Sequence, residues 1–209
     1  QYTTQENSIP RRSAQTAMYH VAESLVRWLA PILSFTAEEI WQHLPGDRED
    51  SIFLSGWYEL PPAFFPEGEI LQRMGADYWE HMTALREAVS KELEKLRVSG
   101  AIGSSLDAEV DLYADEETQF LLKAIGDELR FLLITSYARI HDISESPEGA
   151  VAADVADLSF NIVVKPSAFA KCVRCWHHRE DVGTNADHPE ICGRCIDNVS
   201  GDGESRRYV

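Results

Sequence analysis

The sequence KCVRCWHH, from Lys171 to His178, and the later sequence ICGRCID, from Ile191 to Asp197, decide the architecture of the last part of the chain. They contain all four cysteines, in two Cys-x-x-Cys pairs with 16 residues between them. A Cys-x-x-Cys turn directs two thiolates at one centre, and paired turns at this spacing are typical of a tetrahedral zinc site. Four thiolates leave no open position on the ion, so we expect one structural Zn²⁺. The expected ligands are Cys172, Cys175, Cys192 and Cys195.

Other uses of these cysteines fit the sequence less well. The chain shows no secretion signal, so structural disulfides are not expected. A redox motif would use one pair and leave the second unexplained. A histidine could replace one cysteine as a ligand, and the candidates are His177, His178 and His188. Gly193 is expected to give the second turn its conformational freedom.

Three upstream segments show apolar residues at helical spacing. The predicted helices run from about Pro10 to Leu33, from Ala37 to Leu44 and from Glu69 to Val98. The first helix carries a stripe that we expect to be buried, consisting of Ala14, Ala17, Met18, Val21, Leu25, Trp28, Leu29 and Ile32. The third carries a near-heptad stripe that is typical of a helical bundle.

Several residues indicate where these helices begin and end. Ser8 is a candidate N-cap, and Pro31 should end or kink the first helix because it has no amide donor. Thr36 and Glu39 have the spacing of a capping box for the second helix. The third should end at the glycines Gly100 and Gly103.

The sequence after the long helix predicts a small α+β unit. Strands are expected at Ala108–Leu112, Phe131–Ser136 and Leu158–Val164, with a helix at Glu116–Leu129. A short extended piece is expected earlier, at Ile52–Leu54. We therefore predict a mainly α protein with a small α+β part, divided into residues 1–104, 105–165 and 166–209.

The composition of the 209 residues is that of a chain that buries a core, with 44% hydrophobic and 26% charged residues. No run of about 18 apolar residues predicts a membrane span. The formal net charge of −16 argues against a nucleic-acid partner, since such proteins usually carry a basic surface. However, the 45 residues from Lys165 onward contain seven basic and seven acidic residues, so the whole acidic excess lies before them.

Basic and aromatic residues surround the cysteines and suggest contact with RNA. Basic groups pair with phosphates, and an aromatic ring can stack on an unpaired base. The candidates in this region are Lys171, Arg174, Trp176, Arg179, Arg194, Arg206 and Arg207, and those at the end of the long helix are Lys91, Lys95 and Arg97. The alternatives remain open: Trp176 could equally cover the core of the zinc module, and any single arginine could simply be solvated.

Three segments together resemble the C-terminal part of bacterial isoleucyl-tRNA synthetases, which are class I aminoacyl-tRNA synthetases. They are AMYHVAESLVRWLAPILSFTAEEIW (Ala17–Trp41), GDELRFLLITS (Gly126–Ser136) and the cysteine region with its CWHH and DVG sequences (Lys171–Glu204). The resemblance implies a helical anticodon-binding domain that is truncated at its start, an α+β connector and a zinc module. It also implies that the four cysteines hold the zinc.

The resemblance implies a function in a larger enzyme. Members of that family use ATP to attach isoleucine to its tRNA in a catalytic domain, and a separate editing domain hydrolyses mischarged valine. The family uses a His-Ile-Gly-His and a Lys-Met-Ser-Lys-Ser motif for ATP. This sequence has neither motif. Since it also begins with Gln1, we expect a fragment, and since both motifs are missing, we expect that fragment to be non-catalytic. We further expect a monomer in the cytoplasm. The expected partners are the anticodon stem-loop of isoleucine tRNA and the other domains of the synthetase.

Two alternatives to an RNA-binding fragment remain open from the sequence. The first is a zinc-stabilised docking module, which supports the rest of the synthetase without reading the anticodon. The second is an independent hydrolase or redox enzyme, for which the scattered histidines provide no constellation.

Overall fold

A computed structural model describes residues 2–61 and 75–206, which belong to two compact units. We call residues 2–61 the helical unit and residues 75–206 the sheet unit, and describe each by itself.

The helical unit contains two helices and a single turn of 3₁₀ helix. They are α1 (Ile9–Leu29), α2 (Ser34–His43) and the turn Ile52–Leu54. Pro31 follows Ala30, the C-cap residue of α1, which confirms that the helix ends near this proline. Ser8 is at the N-cap of α1, although its hydroxyl donates to the carbonyl of Gln5 and does not cap an amide.

Two local predictions in this unit are wrong. Thr36 and Glu39 lie inside α2, because the helix begins at Ser34, and they form no capping box. The expected extended piece at Ile52–Leu54 is helical instead, and the Ser51 hydroxyl accepts the amide of Phe53 at 3.3 Å.

The predicted buried stripe of α1 is also wrong. Of its residues, Met18, Val21, Trp28 and Ile32 are each more than half exposed. The core uses another side of the helix and consists of Val26, Ala30, Ala37, Trp41 and Ile52. Glu23 lies on the same side of the helix as Val26 and Ala30 and is only 2% exposed. Its carboxylate pairs with Arg27 at 2.5 Å and with Arg48 at 2.9 Å. Helical periodicity identifies an apolar face but not the surface against which it packs.

The sheet unit begins with the long helix α3 (Ala76–Val98). The first residues predicted for this helix, 69–74, lie outside the described part of the chain. The predicted end is confirmed: Gly100 follows with a φ of +77°, a conformation that glycine adopts without strain.

Four strands and three short helices follow α3. In chain order they are β1 (Ala108–Ala114), α4 (Glu116–Lys123), α5 (Leu129–Leu133), β2 (Tyr137–Asp142), β3 (Val151–Val155), β4 (Leu158–Pro166) and α6 (Gly193–Ser200). The strands form one sheet in the order β2-β1-β4-β3. Strand β1 is parallel to β2 and antiparallel to β4, and β3 is antiparallel to β4.

The apolar stripe of α3 packs on one face of this sheet. Met82, Leu85 and Val89 on the helix share one core with Val110 and Leu112 on β1, and all five are 0% exposed. Alternation along β1 places Glu109 and Asp111 on the opposite face. Helix α3, which the sequence predicts in a bundle within residues 1–104, therefore packs against the sheet. The limits of the three predicted domains remain predictions.

The structure corrects the predicted order of elements in the α+β part. The run Phe131–Ser136 is not a strand: its first half belongs to α5, which ends at Leu133, and β2 begins only at Tyr137. Strand β3 was not predicted. Helix α4 ends at Lys123, earlier than expected, whereas the prediction of β4 is confirmed.

Candidate metal centre

The first cysteine pair lies on a tight turn after β4. An isolated bridge joins Lys171 to His178, and the amide of Cys172 donates to the carbonyl of His177 at 2.9 Å. The amide of Trp176 donates back to the carbonyl of Cys172, also at 2.9 Å. Closing this turn requires Trp176 to adopt a φ of +66°, which is unusual for a residue with a Cβ.

The second cysteine pair brackets the start of α6. Cys192 is its N-cap residue, and Gly193 is its first residue. The predicted reason for Gly193 is wrong, because its φ is not positive. Its lack of a Cβ leaves room for Asp181: a Cβ there would lie 2.8 Å from Oδ2 of Asp181, which accepts the Gly193 amide at 2.8 Å, and the carboxylate would have to move.

These two turns bring the four thiols into one buried cluster. All four Sγ atoms lie within 4.8 Å of one another. Cys172 and Cys195 are 3.7 Å apart, as are Cys175 and Cys192. Disulfide sulfurs lie about 2.05 Å apart, whereas four sulfurs about 2.3 Å from a tetrahedral zinc ion are separated by about 3.8 Å. The cluster therefore fits a tetrahedral zinc site and not two disulfides.

The ionisation of the thiols also fits a cation at their centre. A hydrogen bond to the neighbouring Cys175 raises the pKa of Cys192 to about 12. Burial opposes ionisation of Cys172, but hydrogen bonds from the amides of Cys175 and Cys192 lower its pKa to about 7. One thiolate thus forms readily, while crowding hinders ionisation of the others. A divalent metal removes that hindrance, since it binds thiolates and releases their protons.

The three histidines are occupied elsewhere. His177 is buried edge-on against Phe131, and burial together with the Arg130 charge lowers its pKa to about 4. His178 contacts the carbonyl of Phe169 at 2.7 Å, and His188 contacts the Ser200 hydroxyl at 3.3 Å. The four cysteines are the only group of three or more metal-ligating side chains within the described ranges.

Most of the basic candidates are engaged in ion pairs or ring contacts. Lys171 pairs with Asp107 at 3.0 Å, and Arg179 lies 4.2 Å from the ring centre of Tyr137. Arg194 and Arg206 both pair with Glu204, at 2.7 and 3.2 Å. On α3, Lys95 and Arg97 pair with glutamates three residues earlier, and Lys91 is exposed. Arg207 lies outside the described residues.

Trp176 differs from these residues because it exposes a large apolar ring, not a charged group, to solvent. It is 61% exposed, and its neighbour on the same turn, Val173, is 58% exposed. An indole this exposed contributes little to the core around the cysteines. Arg174 lies between Val173 and Trp176 in the sequence, and its guanidinium is 3.7 Å from Sγ of Cys195.

Two acidic residues that the sequence analysis missed organise this region. Asp107 accepts from Lys171 and from the amide of Ser104 at 2.8 Å, and lies 3.3 Å from His178. Although burial opposes its ionisation, these donors lower its pKa to about 2. The second residue, Asp181, holds the start of α6. In the sequence, the only indication of a role for Asp181 was its place at the start of the DVG sequence.

The comparisons with known proteins agree with this geometry. Residues 1–112 match the family model described as the anticodon-binding domain of tRNA ligase, and the chain belongs to this family. Residues 169–198 match the model of a zinc finger found in FPG and IleRS. Together with the thiol cluster, the second match supports one structural zinc.

The similar curated proteins are bacterial isoleucine–tRNA ligases. Identity is 56% with that of Nitrosococcus oceani, 55% with that of Methylococcus capsulatus and 53% with that of Thioalkalivibrio sulfidiphilus. Each alignment covers 100% of this chain but only 22% of the relative. Among the helices in the described ranges, none is long and apolar enough to cross a membrane.

Proposed function

We propose that this chain is the C-terminal tRNA-binding part of an isoleucine–tRNA ligase. Alignment along the whole chain at 53–56% identity supports this assignment. The complete enzyme would attach isoleucine to its tRNA with ATP, and the chain alone would be non-catalytic. We further propose that it acts in the cytoplasm as a monomer, beside the remaining domains of the synthetase.

We also propose Cys172, Cys175, Cys192 and Cys195 as the four zinc ligands. Their buried Sγ atoms and the 3.7 Å separations support a closed tetrahedral site. Such an ion has a structural role: it joins the turn that carries Trp176 to the start of α6.

The exposed Trp176 carries the proposal that this region contacts RNA. A left-handed conformation costs a residue with a Cβ about 1–2 kcal/mol, yet here it holds a large apolar ring in water. An anticodon loop offers unstacked bases, and a base that stacks on an aromatic ring contributes about 1–3 kcal/mol. The alternative of a purely docking module is not favoured, since residues 1–112 match the family model of an anticodon-binding domain.

Binding of anticodon stem-loops by the 209-residue chain tests this function. We expect zinc-loaded protein to bind the isoleucine stem-loop more tightly than an unrelated one. We expect Trp176→Ala to weaken binding of both, because stacking on an aromatic ring tolerates any base. Val173→Ala is the matched control, because it changes an exposed apolar residue on the same turn. Equal affinity of the wild type for both stem-loops would contradict specific recognition by this chain.

A further inference from the structure

The start of α6 receives its cap from a distant part of the chain. Cys192 occupies the N-cap position, but its side chain makes no capping hydrogen bond. The carboxylate of Asp181 supplies the missing acceptor, because its Oδ2 accepts the amide of Gly193 at 2.8 Å. Its Oδ1 is buried and has no hydrogen-bond partner within the described sheet unit. The bond to Gly193 is therefore what holds this carboxylate.

We propose that Asp181 is a positioning residue for the zinc site. Cys192 and Cys195 flank the first turn of α6, so a rotation of that turn would move both Sγ atoms relative to the first pair. Asp181 fixes the turn by binding its first amide. This inference rests on the proposed ligand set and adds a residue that is not itself a ligand.

The turn that carries Asp181 is itself anchored. The amide and hydroxyl of Thr184 donate to the carbonyl of Asp181 at 3.2 and 2.8 Å. The next side chain, Val182, packs against the cysteine cluster. The carboxylate is thus presented from a defined backbone, as expected for a group that orients metal ligands from outside the coordination sphere.

Glycine at position 193 makes this close approach possible. A Cβ at this position would lie 2.8 Å from Oδ2 of Asp181, closer than side chains tolerate. Alanine is otherwise favourable at the beginning of a helix. Any loss of zinc affinity caused by Gly193→Ala should therefore depend on the presence of the Asp181 side chain.

Zinc transfer from the 209-residue chain to a chromophoric chelator tests the proposal, with circular dichroism to monitor folding. Loss of such outer groups typically weakens metal binding 10–100-fold, and we expect about 10-fold for Asp181→Ala. Asp181→Asn retains an oxygen acceptor and should stay within about threefold of the wild type. Asp187→Ala, at an exposed aspartate between the two cysteine pairs, is the matched control and should have no effect.

A double-mutant cycle provides the sharper test. Gly193→Ala should weaken zinc retention in the wild type but not in the Asp181→Ala background. Equal zinc affinity of Asp181→Ala and the wild type, or an equal cost of Gly193→Ala in both backgrounds, would overturn the proposal. If Asp181→Ala does not fold, Asp181→Asn must still retain zinc better than Gly193→Ala, and the reverse order refutes it. A wild type that binds no zinc would refute the ligand set instead.

Discussion

Replacing Trp176 by alanine and by glycine separates the cost of its backbone from the use of its ring. Its φ of +66° is imposed by the turn that runs from Cys172 to Trp176, in which its amide donates to the carbonyl of Cys172. Both substitutions remove the indole and the same side-chain contacts. They differ in the Cβ, which is unfavourable in the left-handed region.

The magnitude of this difference follows from two opposing effects. Removing a Cβ from a left-handed residue gains about 1–2 kcal/mol. Glycine also has greater conformational freedom in the unfolded chain, which offsets about 0.5–1 kcal/mol of that gain in stability. We therefore expect Trp176→Gly to be more stable than Trp176→Ala by about 0.5–1 kcal/mol, which corresponds to a difference of about 1–4 °C in melting temperature.

RNA binding should not follow the same order. Both variants lose the stacking surface, so both should bind the isoleucine anticodon stem-loop about 5- to 150-fold more weakly than the wild type. Thermal melting in excess zinc and stem-loop titration at one ionic strength measure the two effects. Equal melting of the two variants would refute the strain argument, and unchanged stem-loop affinity would refute contact by Trp176.

Four further results are expected. Elemental analysis should find about one zinc per chain, and chelation should increase amide exchange in residues 166–206 while leaving residues 2–61 unchanged. Asp107→Asn should lower the free energy of unfolding by about 1–2 kcal/mol near neutral pH. The pKa of Asp107 is lowered to about 2, so its contribution to stability is present above pH 4 and lost as the pH falls toward 2. The melting temperatures of wild type and variant should therefore converge near pH 2. Glu23→Ala should cost about 3 kcal/mol in thermal or urea unfolding, since it leaves two largely buried arginines unpaired, whereas the exposed Glu39→Ala should change stability by less than about 0.5 kcal/mol. Stem-loop affinity should fall only weakly with salt, with a log–log slope of about −1 to −2, and a slope near −6 would indicate many phosphate contacts.

The zinc cluster was predictable because its signal is local. Each Cys-x-x-Cys pair forms within one turn, and only one long-range step is needed to bring the pairs together. Asp107 and Asp181 were not predictable in this way. Asp107 contacts Lys171, 64 residues further along the chain, and only the folded sheet brings the two together.

The errors in secondary structure have a common physical origin. The run from Phe131 to Ile134 is continuously apolar, and such a run fits a buried strand and a short helix equally well. In the structure Ile134 adopts a φ of +56°, which ends α5 and separates it from β2. Likewise, the apolar stripe of α1 was visible in the sequence, but the buried Glu23 determines which side of the helix faces the core.

The net charge of −16 does not argue against an RNA partner, because the distribution of charge matters more than its sum. Much of the positive charge near the cysteines is already balanced within the protein: Lys171 by Asp107, and both Arg194 and Arg206 by Glu204. These cations have little free charge with which to attract phosphates. Attraction over a distance should therefore contribute little, and recognition should depend on short-range stacking at an exposed ring such as Trp176. If the proposed function is correct, a surface of this kind would select unpaired bases that other domains had already brought close, and the chain does span only 22% of its relatives.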